Sequence, residues 1–156
     1  MDHSLTALSN LELIERLLLA AVLGGVFGLE REFRHKAAGL RTNMLIAMGS
    51  ALFTLMSIEL TAHTGDPSRV ASQIVTGIGF LGAGAILRTD GGIHGLTTAA
   101  TIWVNAAVGV TVGAGNYKLA LIATVVTIVV LLVLYPIERW VDRHLPPPPN
   151  DGATDA

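Results

Sequence analysis

Residues Leu119–Ile137 read LALIATVVTIVVLLVLYPI, 19 consecutive positions without a charged side chain. A helix needs about 20 apolar residues to cross about 30 Å of hydrocarbon. Each Leu, Ile or Val favours insertion by about 0.3–0.6 kcal/mol. The β-branched residues would suit a strand in water. In lipid a lone strand leaves its backbone polar groups without partners, so this stretch is predicted to be a helix. Working outward from it, four more weakly charged windows precede it in the chain. Spans are expected at about 11–29, 42–60, 70–87, 95–115 and 118–138. The predicted fold class is all-α, a polytopic bundle of five transmembrane helices over residues 11–143. Residues 1–10 form a short N-terminal extension. Residues 144–156 contain PPPP and small polar residues, and are expected to be a disordered cytoplasmic tail.

Composition agrees with this reading. The chain has 156 residues, 51% hydrophobic and 14% charged, against about 25% charged in soluble domains. Ten Lys and Arg face twelve Asp and Glu, so no basic excess draws nucleic acid. Cysteine is absent, which excludes disulfides, thiolate metal sites and cysteine nucleophiles. The first span is not a cleaved leader, because Asp2, Glu12 and Glu15 make its flank acidic. Glu12 and Arg16 are expected to pair at the membrane surface. With the N-terminus outside, the inner segments hold Arg31, Arg34, Lys36, Arg41, Arg88, Arg139 and Arg143. The outer ones hold Arg16, Arg69 and Lys118. Positive charge favours the inside, so the expected orientation is N-out and C-in.

The uncharged length carries two kinds of signal. Small residues let helix backbones approach closely in a membrane. Ala20, Gly24 and Gly28 recur at four-residue spacing, Gly77, Gly79, Gly82 and Gly84 fill the third span, and Gly109 and Gly113 lie on the fourth. These predict packing within the chain, between chains, or both. The match of residues 77–82 to G-x-G-x-x-G lies inside an uncharged span, so a dinucleotide site is rejected. Polar residues form two stripes: Asn43, Ser50, Thr54 and Ser57 on the second span, and Thr97, Thr101 and Asn105 on the fourth. They are read as helix–helix hydrogen bonding or as the lining of an ion path, with Asn105 the best single candidate. No carboxylate is expected at mid-depth, no histidines pair at ligand spacing, and no nucleophile has a nearby base. No metal, cofactor or enzymatic activity is expected.

Three segments carry more than spacing: GLEREFRHKAAGLRTNMLIAMGSALFTL, DPSRVASQIVTGIGFLGAGAILR and GLTTAATIWVNAAVGVTVGAGNYKLA. In this order they resemble the MgtC/SapB family over roughly residues 11–137. The resemblance implies a five-span protein of the bacterial inner membrane. It also implies a link to growth in low magnesium, to virulence, and to inhibition of the F-type ATP synthase as a membrane-protein partner. The family signature falls on Gly28, Glu30 and Arg31, on Gly39, Leu40, Arg41 and Thr42, on Arg69 and Gln73, and on Gly95, Leu96, Thr98, Ala99, Ala100 and Trp103. A Glu30–Arg41 or Glu30–Arg31 network with Arg88 nearby is expected at the inner surface. The chain departs from the best-known members in having Thr97 where some carry Asn, and in ending without their soluble cytoplasmic domain. The preferred function is regulation through helix contacts with a partner membrane protein, with membrane lipids around it and a homo-oligomer as one arrangement. The alternative is a subunit of a magnesium or other small-ion transporter or channel.

Overall fold

A computed structural model describes residues 8–61, 66, 68–89 and 92–144. Residues 1–7 and 145–156, which hold most of the expected extension and tail, lie outside these, as does Asp90. Five helices follow in order: α1 Asn10–Phe33, α2 Leu40–Thr61, α3 Ser68–Gly84, α4 Leu96–Gly113 and α5 Tyr117–His144. A two-stranded antiparallel hairpin, β1 Leu87–Thr89 and β2 Gly92–His94, joins α3 to α4. The hairpin corrects the purely helical expectation and ends the third helix three residues before Leu87. Its sequence signal is Asp90-Gly91-Gly92 between short extended runs, a strong local turn cue.

Helix α1 starts where Ser9 and Glu12 form a capping box: the Ser9 N–H donates to Glu12 Oε2 at 2.7 Å, and the Glu12 N–H donates to Ser9 Oγ at 3.3 Å. Arg16, expected to answer Glu12, instead donates through Nη1 to the Gly113 carbonyl at 2.8 Å. It therefore satisfies a carbonyl at the C-terminal end of α4. The α1–α2 turn places two non-glycine residues in the left-handed region, His35 at φ 51° and Ala38 at φ 57°. The Lys36 N–H returns to the Arg31 carbonyl at 3.0 Å and closes the helix end. Ala38→Gly is expected to raise stability by about 1 kcal/mol, read as a higher midpoint in detergent melting.

The burial pattern of α1 departs from that of a water-soluble helix. Leu11, Ile14, Leu18, Val22, Val26, Leu29 and Phe33 form an exposed stripe at three- and four-residue spacing, while Ala20, Gly24 and Gly28 face inward together with Leu23 and Phe27. A stripe of large apolar side chains turned outward, with small residues at the close crossings, suits a solvent of lipid tails. On α5 the exposed apolar surface runs nearly all round, from Leu119 to Ile137. Among the described residues, three helices are long and apolar enough to cross a membrane: Leu40–Thr61, Leu96–Gly113 and Tyr117–Val141. Helix α1 carries charge near both ends, and α3 has 17 residues, about 25 Å of rise.

Side-chain contacts give the relative directions. Gly24 lies against Asn43 and Gly28 against Leu40, so α1 and α2 run antiparallel. Gly109 meets Ala47 and Gly113 meets Ala51, so α4 runs parallel to α2. Gly82 lies against Ala99, which sets α3 antiparallel to α4. Helix α4 is central and touches every other helix. On one side of it Ala20, Leu23, Phe27, Ala47, Ala51, Val108, Val112 and Ala120 make one core; Ile46, Ile74, Ile78, Ile102 and Ala106 make a second. This alternation gathers the ends of α1 and α3, the starts of α2 and α4, and the hairpin at one end of the bundle.

Candidate functional site

The expected polar stripe on α2 faces the interior: Asn43, Ser50, Thr54 and Ser57 are all buried. Its hydrogen bonds are mostly local. Thr54 Oγ1 donates to the Ser50 carbonyl at 2.8 Å, one helical turn back. Asn43 Nδ2 donates to the carbonyls of Ala38 and Gly39, the latter at 3.1 Å, and so fastens the start of α2. On α4 the stripe is offset from expectation. Thr101 and Asn105 are buried, but Thr97 is exposed and Thr98 points inward instead. Asn105 Nδ2 donates to the Asn43 carbonyl at 2.8 Å and to Asn43 Oδ1 at 3.0 Å, joining α2 to α4 with both residues fully buried. Asn105 Oδ1 has no hydrogen-bond partner. Asn105→Ala is expected to cost about 1 kcal/mol, visible as a lowered melting midpoint.

Charge concentrates at the hairpin end, around a cavity of about 590 Å³ between α1, α4 and α5. Glu30, Arg31, Arg34 and Lys36 line it from α1 and the turn after it. His94, Gly95, Leu96, Thr97 and Thr98 line it from the hairpin and α4, and Val130, Leu131, Leu134 and Tyr135 from α5. Arg31 is only 3% exposed, and its Nη2 donates to Thr98 Oγ1. Glu30 pairs through Oε1 with Arg34, one turn along the same helix. The Arg34 guanidinium also stacks on the Tyr135 ring at 3.9 Å, which ties α1 to α5. Glu30 and Arg34 are the charged neighbours that act on Arg31. Two buried polar atoms of cavity-lining residues, Arg31 Nε and Glu30 Oε2, have no partner among the described residues.

The expected Glu30–Arg41 contact is thereby corrected, while Glu30 remains a charged neighbour of Arg31, the other expected pairing. Arg34 takes Glu30, whereas Arg41 is exposed on the first turn of α2. Arg88 is exposed on β1, in register with Ile93, and does not line the cavity. The i, i+4 spacing of Glu30 and Arg34 was the available signal, since such pairs meet on a helix face. A charge swap of Glu30 and Arg34 is expected to regain part of the stability lost by either single change. Equal damage in the double and single variants would dismiss the contact. Thr42 and Gln73 line a separate, largely apolar groove between α2 and α3. Trp103 is half-exposed on the outside of α4.

The glycines divide sharply. A Cβ on Gly24 would stand 2.5 Å from the Asn43 carbonyl oxygen, and one on Gly28 would stand 2.5 Å from Leu40 Cα. At Gly109 the Ala47 oxygen would be 2.2 Å away, and at Gly113 the Ala51 oxygen 2.7 Å away. These residues are close helix crossings within the chain. Gly82 would gain only ordinary contact with Ala99, and Gly77, Gly79 and Gly84 face open space. Gly95, at φ 88°, has the Ala85 oxygen 2.0 Å from a would-be Cβ, so only glycine closes the hairpin onto α4. Among the described residues, no three His, Asp or Glu side chains gather as metal ligands.

A bundle with small residues inside, apolar residues outside and a charged pocket at one end defines a small helical membrane protein. The MgtC family model matches residues 17–140, and the chain belongs to that family. It is 50% identical over 133 residues to a protein of Escherichia coli strain K12 named "Putative magnesium transporter YhiD", covering 81% of this chain and 62% of that protein. It is 52% identical over 118 residues to "Protein MgtC" of Brucella abortus strain 2308, covering 76% of this chain and 49% of that protein. The chain thus spans between about half and two thirds of the length of these relatives. No solved structure matches it.

Proposed function

We propose that this chain is a regulatory protein of the bacterial inner membrane that serves magnesium homeostasis through contacts with another membrane protein. The observation that carries this reading is that the donors of the polar core are used within the chain. The Asn105 amide N–H donates to Asn43, Thr54, Thr101 and Thr124 each donate to the carbonyl one turn back on their own helix, and among the described residues Asn105 Oδ1 is left without a partner. An ion path would need such groups turned toward a shared channel. The magnesium link is supported by family membership and by the name of the Escherichia coli relative. The F-type ATP synthase is the proposed partner, and virulence in a host the proposed setting, both on the family resemblance. We read all five helices as spans, with the N-terminus out. Support comes from the seven basic residues that the alternating helices gather at the hairpin end.

Crosslinking in native membranes followed by capture of the chain tests the proposal. Recovery of ATP synthase membrane subunits is expected; recovery of the chain alone would overturn that partner. A transporter reading is favoured by the name of YhiD. Vesicles reconstituted with the full chain separate the two. No protein-dependent magnesium uptake is expected; uptake abolished by Asn105→Leu would displace regulation in favour of transport.

A further inference from the structure

We propose that the cavity between α1, α4 and α5 is a binding site for an anionic phospholipid, with the phosphate on Arg31 and a headgroup hydroxyl on Glu30. The charge balance comes first. Among the described residues, Arg31, Arg34 and Lys36 line the cavity against one carboxylate, Glu30, so two positive charges there lack a lining counter-charge. A metal cation is repelled by that surplus, and an anion is drawn to it.

The free valences are specific. Arg31 is 3% exposed, yet its Nε–H finds no acceptor among the described residues. A buried guanidinium N–H left without an acceptor is costly, and a phosphate oxygen supplies a charge-assisted one. Glu30 Oε2 is equally buried and can only accept. A phosphate diester bearing a hydroxylated headgroup offers the complementary pair, an acceptor for Arg31 and a donor for Glu30. A bare divalent cation can serve only Glu30, and a neutral amphiphile offers Arg31 no charge-assisted acceptor.

The remaining wall explains why the ligand is a lipid. Val130, Leu131 and Leu134 belong to the stretch of α5 that is apolar enough to cross a membrane. One side of the cavity is therefore ionic at the helix ends, and the other is continuous with the hydrocarbon. At about 590 Å³ it falls within the usual size of small-molecule sites. Basic pockets between membrane helices are a general solution for anionic headgroups. The site does not depend on the identity of any protein partner.

The test uses the purified full chain in a mild detergent, titrated with phosphatidylglycerol or phosphatidylcholine, with retained lipid counted by native mass spectrometry. Phosphatidylglycerol should be retained about tenfold better. Lys36→Glu, at an exposed turn residue, should erase most of that preference. Val130→Trp should weaken retention while leaving every charge in place. Arg143→Ala, at the same end of the bundle but outside the cavity lining, should leave it unchanged. Equal retention of the two lipids would overturn the proposal, and so would equal losses in Lys36→Glu and Arg143→Ala. Inorganic phosphate that protects the chain from thermal unfolding as well as phosphatidylglycerol does would overturn the lipid assignment in favour of the free anion.

Discussion

Gly109→Val should prevent α2 and α4 from closing on one another, at a cost of about 3 kcal/mol. A single Cβ there would stand 2.2 Å from the Ala47 oxygen, 2.9 Å from the Ala47 carbonyl carbon and 2.8 Å from Ser50 Cβ. Two of those atoms are backbone within a helix, so they cannot swing aside as the tip of a lysine could. Relief requires the helices to move apart, which also lengthens the Asn105–Asn43 bonds at the same crossing. Thermal unfolding in detergent, or protease sensitivity, should register the change. Gly77→Val and Gly79→Val are the matched controls, since nothing lies within 4 Å of a Cβ at either position. Melting of Gly109→Val at the temperature of the unaltered chain would refute the crossing. A fall in Gly77→Val to the same depth would show instead that α3 is covered by a second molecule.

Glu30→Ala carries the second large expected effect, a loss of about 3–5 kcal/mol from removing one partner of a buried ion pair. Glu30 is 9% exposed, and among the described residues it is the one negative side chain in the cavity wall. Without it Arg34 loses its salt bridge and the nearly inaccessible Arg31 loses its counter-charge. Arg41→Ala should lie within about 0.5 kcal/mol of the unaltered chain, because Arg41 is exposed. The two variants should thus separate clearly in a melting experiment, and similar midpoints would restore the Glu30–Arg41 pairing that the sequence suggested. An excess of phosphatidylglycerol should raise the midpoint of the unaltered chain as well, since a ligand bound only by the folded state stabilises it.

The architecture was largely legible because lipid imposes a simple rule. Uncharged length becomes helix, and each of the five windows contains one. The inward face of α2 was legible too, because Asn43, Ser50, Thr54 and Ser57 keep helical spacing over four turns. The site was less so. Thr97 and Thr98 are adjacent, and which of them turns inward depends on how Gly95 sets the start of α4. Glu30 had three arginines within reach along the chain, Arg31, Arg34 and Arg41, and only the left-handed turn at His35 and Ala38 decides where α2 begins relative to α1. Tyr135, Val130 and Leu134 looked like further positions of an apolar span. Their place in the cavity depends on the packing of α5, which no local pattern encodes. The glycines show the same limit. Gly24 and Gly79 are alike as letters, yet one is pressed against a carbonyl and the other faces open space.

The small residues at the crossings of α1, set against its outward stripe of large ones, govern how this protein can vary. In a water-soluble domain the costly mutation shrinks a large interior residue and leaves a hole. Here the sensitive direction is growth, at alanines and glycines, because the helices meet through their backbones. On the outward stripe from Leu11 to Phe33, one apolar side chain can stand for another with little consequence, since the surrounding lipid reshapes itself to any of them. The chain is therefore tightly constrained where its side chains are smallest, and the bulky residues of the outward stripe are the ones free to drift.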